Sequence, residues 1–229
     1  MIRIQQTEAT EVKVGRIPEH TMRLEDIPGS EFEKRALEVA LSGGHSIALL
    51  YNNGSQAPDV VKVAKRIAKE NGLPFHGLAY PWCSCGNYGS HKEECRCSAK
   101  SIEKHLVKLV KRVDDFDIWI GASTPVSRDY RTKGEPETDF LKRILNAREI
   151  PGPKDDLDIS CREMIEAYVK NVSERLDISR ATRLARTIAR LDGQDKILVQ
   201  HIAEALQYQP HLLGGFRDFL KPIAVEERT

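Results

Sequence analysis

The sequence predicts an α/β layer with a small parallel sheet, followed by an all-α bundle. Two observations support this fold class. In the first half of the chain, short apolar runs alternate with segments whose apolar residues recur at helical spacing. In the second half every patterned segment has helical spacing, as in a small helical bundle. With 229 residues the chain can bury a core, either as one domain or as two small ones.

The N-terminal elements are predicted from alternation and from helix-end signals. Residues 1–21 contain alternating apolar positions that indicate one or two short strands. The segment Ser30–Glu33 has the form of a capping box, in which Ser30 accepts from the Glu33 amide, so we expect a helix to begin there. Gly43 and Gly44 then end this helix, because glycine readily adopts the left-handed backbone that follows a helix.

Three short apolar runs predict the sheet. They lie at residues 46–51, 75–82 and 116–120, and their near-continuous apolar character is typical of buried parallel strands. A helix is predicted between the first two runs, from about Pro58 to Glu70. A second, capped by Ser98, is predicted between the second and third runs. This alternation of strand and helix favours parallel pairing.

The second half predicts four helices after a segment without periodicity. The segment contains Pro125, Gly134 and Pro136, which is the composition of a linker. A second capping box at Ser160–Glu163 predicts the start of one of the helices. The predicted helices contain or span Phe140–Leu145, Ile165–Leu176, Ser179–Leu191 and Val199–Leu206.

Charge and hydropathy limit the class of protein only weakly. Lysine and arginine number 35 against 34 aspartate and glutamate residues, so the net charge of +1 argues neither for nor against nucleic acid. No apolar run approaches the roughly 18 residues that span a bilayer. The first residues are partly acidic and lack the apolar stretch of an export signal. We therefore expect a soluble, cytoplasmic protein without membrane contact.

Four of the five cysteines lie in one short polar segment and predict a metal site. Cys83, Cys85, Cys95 and Cys97 form two C-x-C pairs, and four thiolates around one ion are typical of structural zinc. The expected cofactor is one Zn²⁺ per chain, with no open position for catalysis. His91 could replace one thiol, and the sequence does not decide whether it does. Unrelated free cysteines or a disulfide are the alternatives.

Basic residues follow the cysteine segment at steps of about one helical turn. Such a stripe can contact phosphates, although a solvated helix face has the same composition. Comparable stripes occur on the helix before the second strand and near residues 180–190. The candidate nucleic-acid residues are Lys100, Lys104, Lys108, Lys111 and Arg112.

Four segments of the chain have a recognisable pattern: RALEVALSGGHSIALL at 35–50, the CSCG…CRCS segment at 83–98, DDFDIWI at 114–120 and LARTIARLDGQDKILVQHIAEALQYQ at 184–209. Together they resemble the magnesium-chelatase-like AAA+ family, in particular its ComM/YifB branch. The resemblance implies a nucleotide-binding α/β domain, a helical lid and ATP-driven remodelling, with branched DNA as the substrate in the ComM branch. It also gives the expected organisation: an N-terminal strand segment (1–21), a reduced AAA+-like domain (22–122), a linker (123–137), the lid (138–209) and a C-terminal tail (210–229).

The chain departs from the family pattern where ATP chemistry would take place. The family has a GxxGxGK[ST] phosphate loop after the SIALL strand, but here Ala57 stands at the lysine position and Pro58 at the hydroxyl position. Gly54 is the one glycine of the loop that remains. Asp115 replaces the arginine of the DRFD motif. Leu176 stands where the resemblance places a sensor arginine, although Arg175 or Arg180 could substitute with a small shift in the alignment. We therefore expect no ATP hydrolysis and no catalytic residues, and weak nucleotide binding remains open.

The sequence leaves two functions from different classes. The leading one is a catalytically inactive, zinc-stabilised homologue that binds nucleic acid, with DNA as the expected partner. The alternative is a regulatory module that docks on an active AAA+ assembly or another protein without contacting nucleic acid. Because the nucleotide-binding elements are altered, a monomer or dimer is expected rather than a hexamer. The sequence does not identify the partner protein or the pathway.

Overall fold

The computed structural model describes residues 22–90, 92–122, 133–153, 157–173, 175–210 and 213. Within these residues three β-strands alternate with the first three of seven α-helices, and the other four helices follow the last strand, as the sequence predicts. Two short 3₁₀ turns precede the first helix and the third strand. The elements are α1 (Glu31–Gly43), β1 (Ile47–Tyr51), α2 (Ala57–Glu70), β2 (Gly77–Pro81), α3 (Ala99–Val110), β3 (Ile118–Gly121), α4 (Glu137–Glu149), α5 (Ile159–Asn171), α6 (Ile178–Leu191) and α7 (Val199–Gln207). The fold class is therefore the predicted one.

The sheet has the order β2-β1-β3, and both neighbours of the central strand are parallel to it. Ile47 at the start of β1 is opposite Gly77 of β2 and Ile118 of β3. The chain leaves β1 to one side through α2 and then returns past it to the other side through α3. All three strands therefore end at the same edge of the sheet, and the loops that follow them lie together there.

Alternate residues of the central strand serve two cores on opposite faces of the sheet. Ile47 and Leu49 belong to a large cluster with α1 and α2. Ala48 and Leu50 belong to a smaller cluster that α3 covers with Leu106, and that also includes the side chains of Phe116 and Trp119. Because successive side chains of a strand point to opposite faces, a strand buried on both faces must be apolar throughout.

The larger core continues from the sheet into the C-terminal helices. Phe140 of α4, Leu184 and Ile188 of α6 and Ile202 of α7 belong to the same buried cluster as β1. The core thus crosses the predicted boundary between the α/β domain and the helical lid, and that division stays a prediction. The predicted strands of residues 1–21, most of the linker and most of the tail lie outside the described residues.

Two of the three predicted helix caps are wrong, although the helices are present. Ser30 precedes α1 but has a left-handed backbone with φ 57°, and its side chain makes no capping bond. Ser98 caps α3 as predicted, accepting from the Ser101 amide. Asp158, rather than Ser160, caps α5 by accepting from the Cys161 amide at 2.8 Å. Helix α5 also ends at Asn171, before the predicted end at Leu176.

Candidate metal centre

Parallel pairing of β1 and β2 places the loops that follow them side by side. The cysteine loop (83–97) begins two residues after β2 ends at Pro81, and the β1–α2 loop (52–56) follows Tyr51. The Trp82 amide extends the pairing by donating to the Tyr51 carbonyl at 2.9 Å. The fold therefore delivers the cysteines to the edge of the sheet where open α/β sheets bind their ligands.

The four cysteine sulfurs form one compact cluster. The Cys83 Sγ lies 3.4 Å from the Cys85 Sγ and 3.7 Å from the Cys95 Sγ, and the last two sulfurs are 3.6 Å apart. With Cys97 included, all four ligand atoms lie within 4.8 Å of one another. Four sulfurs about 2.3 Å from a tetrahedral zinc would be about 3.8 Å apart. The spacing therefore suits a single ion, and all four cysteines are free thiols.

Backbone amides of the loop point at the sulfurs. The Tyr88 amide donates to the Cys83 Sγ at 3.3 Å, and the turn that makes this possible is closed by the Gly86 amide on the Cys83 carbonyl. Gly86 has φ +81°, a conformation that glycine adopts without strain. Such amide dipoles stabilise thiolates and offset part of the negative charge of a four-thiolate site.

Other backbone amides of the loop and the neighbouring sulfurs give the thiols different pKa values. The amides of Asn87 and Arg96 lower the pKa of Cys85 to about 6. The Cys97 amide acts on Cys95 in the same direction, but burial and the neighbouring sulfurs of Cys85 and Cys83 outweigh it and raise the pKa of Cys95 to about 12. The pKa of Cys97 is also raised, in part by the neighbouring Cys85 sulfur. Cys85 therefore ionises readily, while Cys95 and Cys97 need a bound cation to lose their protons.

Asparagines of the β1–α2 loop hold the cysteine loop. The Asn53 side-chain amide donates to the Cys85 carbonyl at 3.0 Å and to the Asn87 side-chain oxygen at 2.7 Å. The Asn53 backbone amide donates to the Gly86 carbonyl at 2.7 Å. Asn52, which is buried, donates to the Gly89 carbonyl at 2.9 Å. The two loops are thus joined by four hydrogen bonds.

Several backbone amides of the β1–α2 loop are already engaged within the protein. The Ser55 amide donates to the Asn52 carbonyl at 3.0 Å, and the Ala57 amide donates to the Ser55 hydroxyl at 3.2 Å. Pro58 has no amide hydrogen. Ala57 is buried and is the first residue of α2. In the segment compared above with a phosphate loop, the amides of Ser55 and Ala57 are thus directed at acceptors within the protein.

In the predicted basic stripe after the cysteine loop, the lysines are exposed to solvent, whereas Arg112 is held by hydrogen bonds within the protein. Arg112 is partly buried: its guanidinium donates to Asp115 at 2.9 Å and to the Tyr80 hydroxyl, and lies over the Tyr80 ring. The lysines are exposed and form no ion pair with any described residue: Lys100, Lys104 and Lys108 lie on α3, and Lys111 is the residue that follows its last turn. Arg112 therefore has a packing role that the sequence pattern does not reveal.

The two other basic stripes are partly neutralised by acidic partners. On α2, Lys62 pairs with Asp59, and Arg66 pairs with Glu70 and Glu137. Lys65 and Lys69 of the same helix are exposed. On α6, Arg183 donates to Asp117 at 3.0 Å. Arg180 is close to Asp114 and Asp177 and also donates to the Phe116 carbonyl. Of the three stripes, the one that follows the cysteine loop has all of its lysines exposed and none of them in an ion pair with a described residue.

Two residues that the sequence analysis named at altered positions of the ATPase pattern have structural roles. Asp115 pairs with Arg112, and Leu176 is buried in the large core.

Aromatic residues near the cysteine loop also have structural contacts. His105 contacts the Pro81 carbonyl at 2.8 Å and so connects α3 to the end of β2. Trp82 packs against the smaller core, as expected for a residue at a strand end. His91 lies outside the described residues, so its predicted contribution to the metal site stays open.

Comparison with protein families identifies the C-terminal helices. Residues 153–209 match the family model described as Magnesium chelatase, subunit ChlI C-terminal. The match covers α5, α6 and α7 and supports a magnesium-chelatase-like relationship for the helical part of the chain, as in an AAA+-related lid. A comparison with curated proteins gives no match.

The helices of the described residues are too short and too polar to cross a membrane.

Sequence reasoning missed the residues that support the cysteine cluster. Asn52 and Asn53 lie in the altered phosphate loop and Asn87 lies in the polar cysteine segment, and none of the three was named as a candidate. A signal was available, since parallel strands that pair must bring their following loops together. Recognising Asn53 as a support, however, requires knowing that β1 and β2 are adjacent in the sheet.

Proposed function

We propose that this protein is a zinc-stabilised, catalytically inactive relative of the ComM branch of magnesium-chelatase-like proteins, and that it binds DNA through α3. The observation that carries the proposal is the position of the exposed lysine stripe directly after the four-cysteine cluster. Ser98, which caps α3, follows Cys97 without an intervening residue. A metal held by the cluster would therefore fix the direction of α3.

Zinc is the ion that the ligand set favours. Four sulfur ligands at tetrahedral spacing suit Zn²⁺ better than the hard cations Mg²⁺ and Ca²⁺, which prefer oxygen. Cys83, Cys85, Cys95 and Cys97 would hold it and leave no open position for a water molecule. The role of the ion would be to order the cysteine loop and the start of α3, without chemistry of its own.

Loss of ATP hydrolysis is supported by both residue identity and geometry. Ala57 and Pro58 supply neither the ammonium group that stabilises a transferring phosphoryl group nor the hydroxyl that binds Mg²⁺. The amides of Asn53, Ser55 and Ala57 are engaged in internal hydrogen bonds. A carboxylate at Asp115 would repel phosphate oxygens.

DNA binding is supported by the lysine stripe that follows the cysteine loop: none of its lysines pairs with a described acidic residue, whereas the stripes of α2 and α6 combine exposed and paired residues. Exposed lysines without acidic partners can neutralise phosphates and release condensed counterions, whereas paired side chains would first have to break their ion pairs. Lys100, Lys104, Lys108 and Lys111 lie on one side of α3, opposite the buried Leu106 and Leu109. Four such contacts are enough for salt-sensitive binding without base specificity.

Fluorescence anisotropy with labelled single-stranded, duplex and branched DNA tests this function. The protein is purified without chelator and its zinc content measured, with roughly one ion per chain expected. For duplex DNA, four phosphate contacts give a slope of about −3.6 in log affinity against log salt, or about 150-fold weaker binding at about 200 mM than at about 50 mM salt.

The double variant Lys104→Ala/Lys108→Ala is expected to reduce the salt slope by about two units. A charge-matched control, Lys142→Ala/Lys170→Ala, removes exposed lysines from α4 and α5 and should leave the slope unchanged. An equal loss in both variants would mean that binding depends on total charge. No binding to any DNA at 50 mM salt would reject the DNA function.

A second candidate, a protein-docking module, is favoured by exposed aliphatic side chains on the C-terminal helices. Ile159 is 73% exposed at the start of α5, and Ile178 is 48% exposed at the start of α6. Aliphatic groups at that level of exposure are common partners in protein interfaces. Association through them would persist at high salt, which distinguishes this candidate from phosphate binding.

A further inference from the structure

We propose that Asn53 is a positioning residue of the metal site, and that the β1–α2 loop supports the cysteine loop in place of binding a phosphate. The inference rests on the proposed function, because it assumes that the cysteine cluster binds a metal. It concerns a residue that is not a ligand. Asn53 would act through the backbone of the ligand Cys85.

The contacts of Asn53 are concentrated on the segment between two ligands. Its side-chain nitrogen donates to the Cys85 carbonyl and to the Asn87 side-chain oxygen, and its backbone nitrogen donates to Gly86. These three residues follow one another in the turn that directs amides at the Cys83 and Cys85 sulfurs. One side chain therefore fixes the turn on which two of the four ligands depend.

A second set of contacts extends this support to the rest of the loop. Asn87 is buried and uses its own side-chain nitrogen to donate to Glu93 at 2.9 Å. Glu93 lies two residues before Cys95. A chain of hydrogen bonds thus runs from Asn53 through Asn87 and Glu93 towards the second C-x-C pair, and its first member belongs to the β1–α2 loop.

The turn at Gly86 packs so closely against Asn53 that a bound phosphate would have little room there. A methyl group added at Gly86 would lie 2.4 Å from the Asn53 side-chain oxygen and 2.9 Å from its nitrogen. The turn therefore approaches Asn53 more closely than any residue with a side chain would allow. A phosphate bound at the Asn53 amide would have to displace the Gly86 carbonyl and with it the turn of the cysteine loop.

Supports that orient metal ligands typically change metal affinity by 10–100-fold when they are removed. We expect Asn53→Asp to weaken zinc binding by at least tenfold, because aspartate has the same shape but cannot donate to Cys85 or Asn87. Asn53 itself is exposed, so its replacement leaves the core intact. The loss should appear in metal affinity rather than in the folding of the metal-free protein.

The experiment titrates metal-free protein with Co²⁺, followed by its thiolate charge-transfer absorption, and measures zinc affinity by competition. Asn71→Asp is the matched control, since Asn71 also donates to a backbone carbonyl, that of Ile67, but at the far end of α2. The expected result is weakened binding in Asn53→Asp alone, with equal unfolding free energies of metal-free wild type and metal-free Asn53→Asp.

Two outcomes would overturn the inference in distinguishable ways. If wild-type protein binds neither Co²⁺ nor zinc, the proposed function fails and the inference fails with it. If wild-type protein binds both metals and Asn53→Asp binds them within threefold of wild type, the inference alone is rejected. Equal weakening in the Asn71→Asp control also rejects it, because the effect would then not be specific to the loop.

Discussion

At the scale of single residues, His45 has the environment with the clearest consequence. It is buried between α1 and α6, and its Nε2 atom lies 2.8 Å from the Thr187 hydroxyl. Because Thr187 donates its own hydrogen to the Arg183 carbonyl, the histidine nitrogen must be the donor in this pair. A Cβ at Gly43 would lie 2.2 Å from this nitrogen, so the contact requires glycine there.

Burial of His45 predicts a loss of stability in mild acid. Desolvation lowers the pKa of His45 from 6.5 to about 4, with Asp117 opposing this shift and Arg183 adding to it. The unfolded chain therefore takes up a proton at a higher pH than the folded one. Stability is fully present above pH 6.5 and is lost as the pH falls towards 4, by up to about 3 kcal/mol.

The free energy of unfolding, measured by urea denaturation between pH 7 and 4.5, tests this prediction in wild type and His45→Gln. The variant should show a flatter pH dependence, since glutamine can still donate to Thr187 but does not titrate. The pKa of His201 is also lowered by burial, but this residue is present in both proteins and cancels in the comparison. Parallel loss of stability in the two proteins would contradict the role given to His45.

At the scale of elements, the helix starts show how backbone conformation decides capping. Ser98 has an extended backbone with φ −67° and ψ 153°, which turns its hydroxyl towards the Ser101 amide. Ser30 has a left-handed backbone, and its hydroxyl instead donates to the Gln56 side chain at 3.2 Å. The same residue type therefore caps one helix and not the other.

We predict that Ser98→Ala and Ser30→Gly have different effects. Loss of the Ser98 cap should reduce the unfolding free energy by about 1 kcal/mol. Ser30→Gly should change it by less than about 0.5 kcal/mol, because relief of the left-handed conformation offsets the added flexibility of glycine. Thermal and urea unfolding of the two variants checks both values. An equal loss in both would mean that Ser30 stabilises α1 after all.

At the scale of the whole molecule, the C-terminal helices are fixed to the α/β layer. The core is continuous from β1 to α7. An ion network on the surface of α1 adds to this: Arg35 donates to Glu204 at 2.9 Å and to Asp192 at 3.0 Å, and Arg143 of α4 pairs with the buried Glu38. Movement of α4, α6 or α7 against α1 would expose apolar surface and break these pairs.

This arrangement predicts that the protein does not hydrolyse ATP and that its oligomeric state does not change when nucleotide is added. With its phosphate-loop donors engaged and its helices fixed to α1, the protein should release no phosphate from Mg-ATP above background. Light scattering should give the same monomeric or dimeric mass with and without nucleotide. Turnover that disappears in a Gly54→Ala variant would contradict the prediction, and so would a hexamer that forms only with ATP.

Most elements of the fold were predictable because their signals are local. The apolar runs of β1, β2 and β3 and the helical spacing of α2, α3, α6 and α7 are present in the sequence itself. Helix-end details were less predictable. Asp158 and Ser160 are both good capping residues, and the choice between them depends on where the preceding chain leaves its backbone.

The sequence alone determined the types of element, their order and the set of four cysteines. These features follow from periodicity along the chain and from ligands that are close in sequence. Only the tertiary structure decided that Asn53 supports the cysteine loop, that His45 is buried against Thr187, and that Arg112 is engaged while the lysines of α3 face solvent. The physical reason is that each of these contacts joins segments brought together only by parallel pairing around β1 and by packing across the sheet.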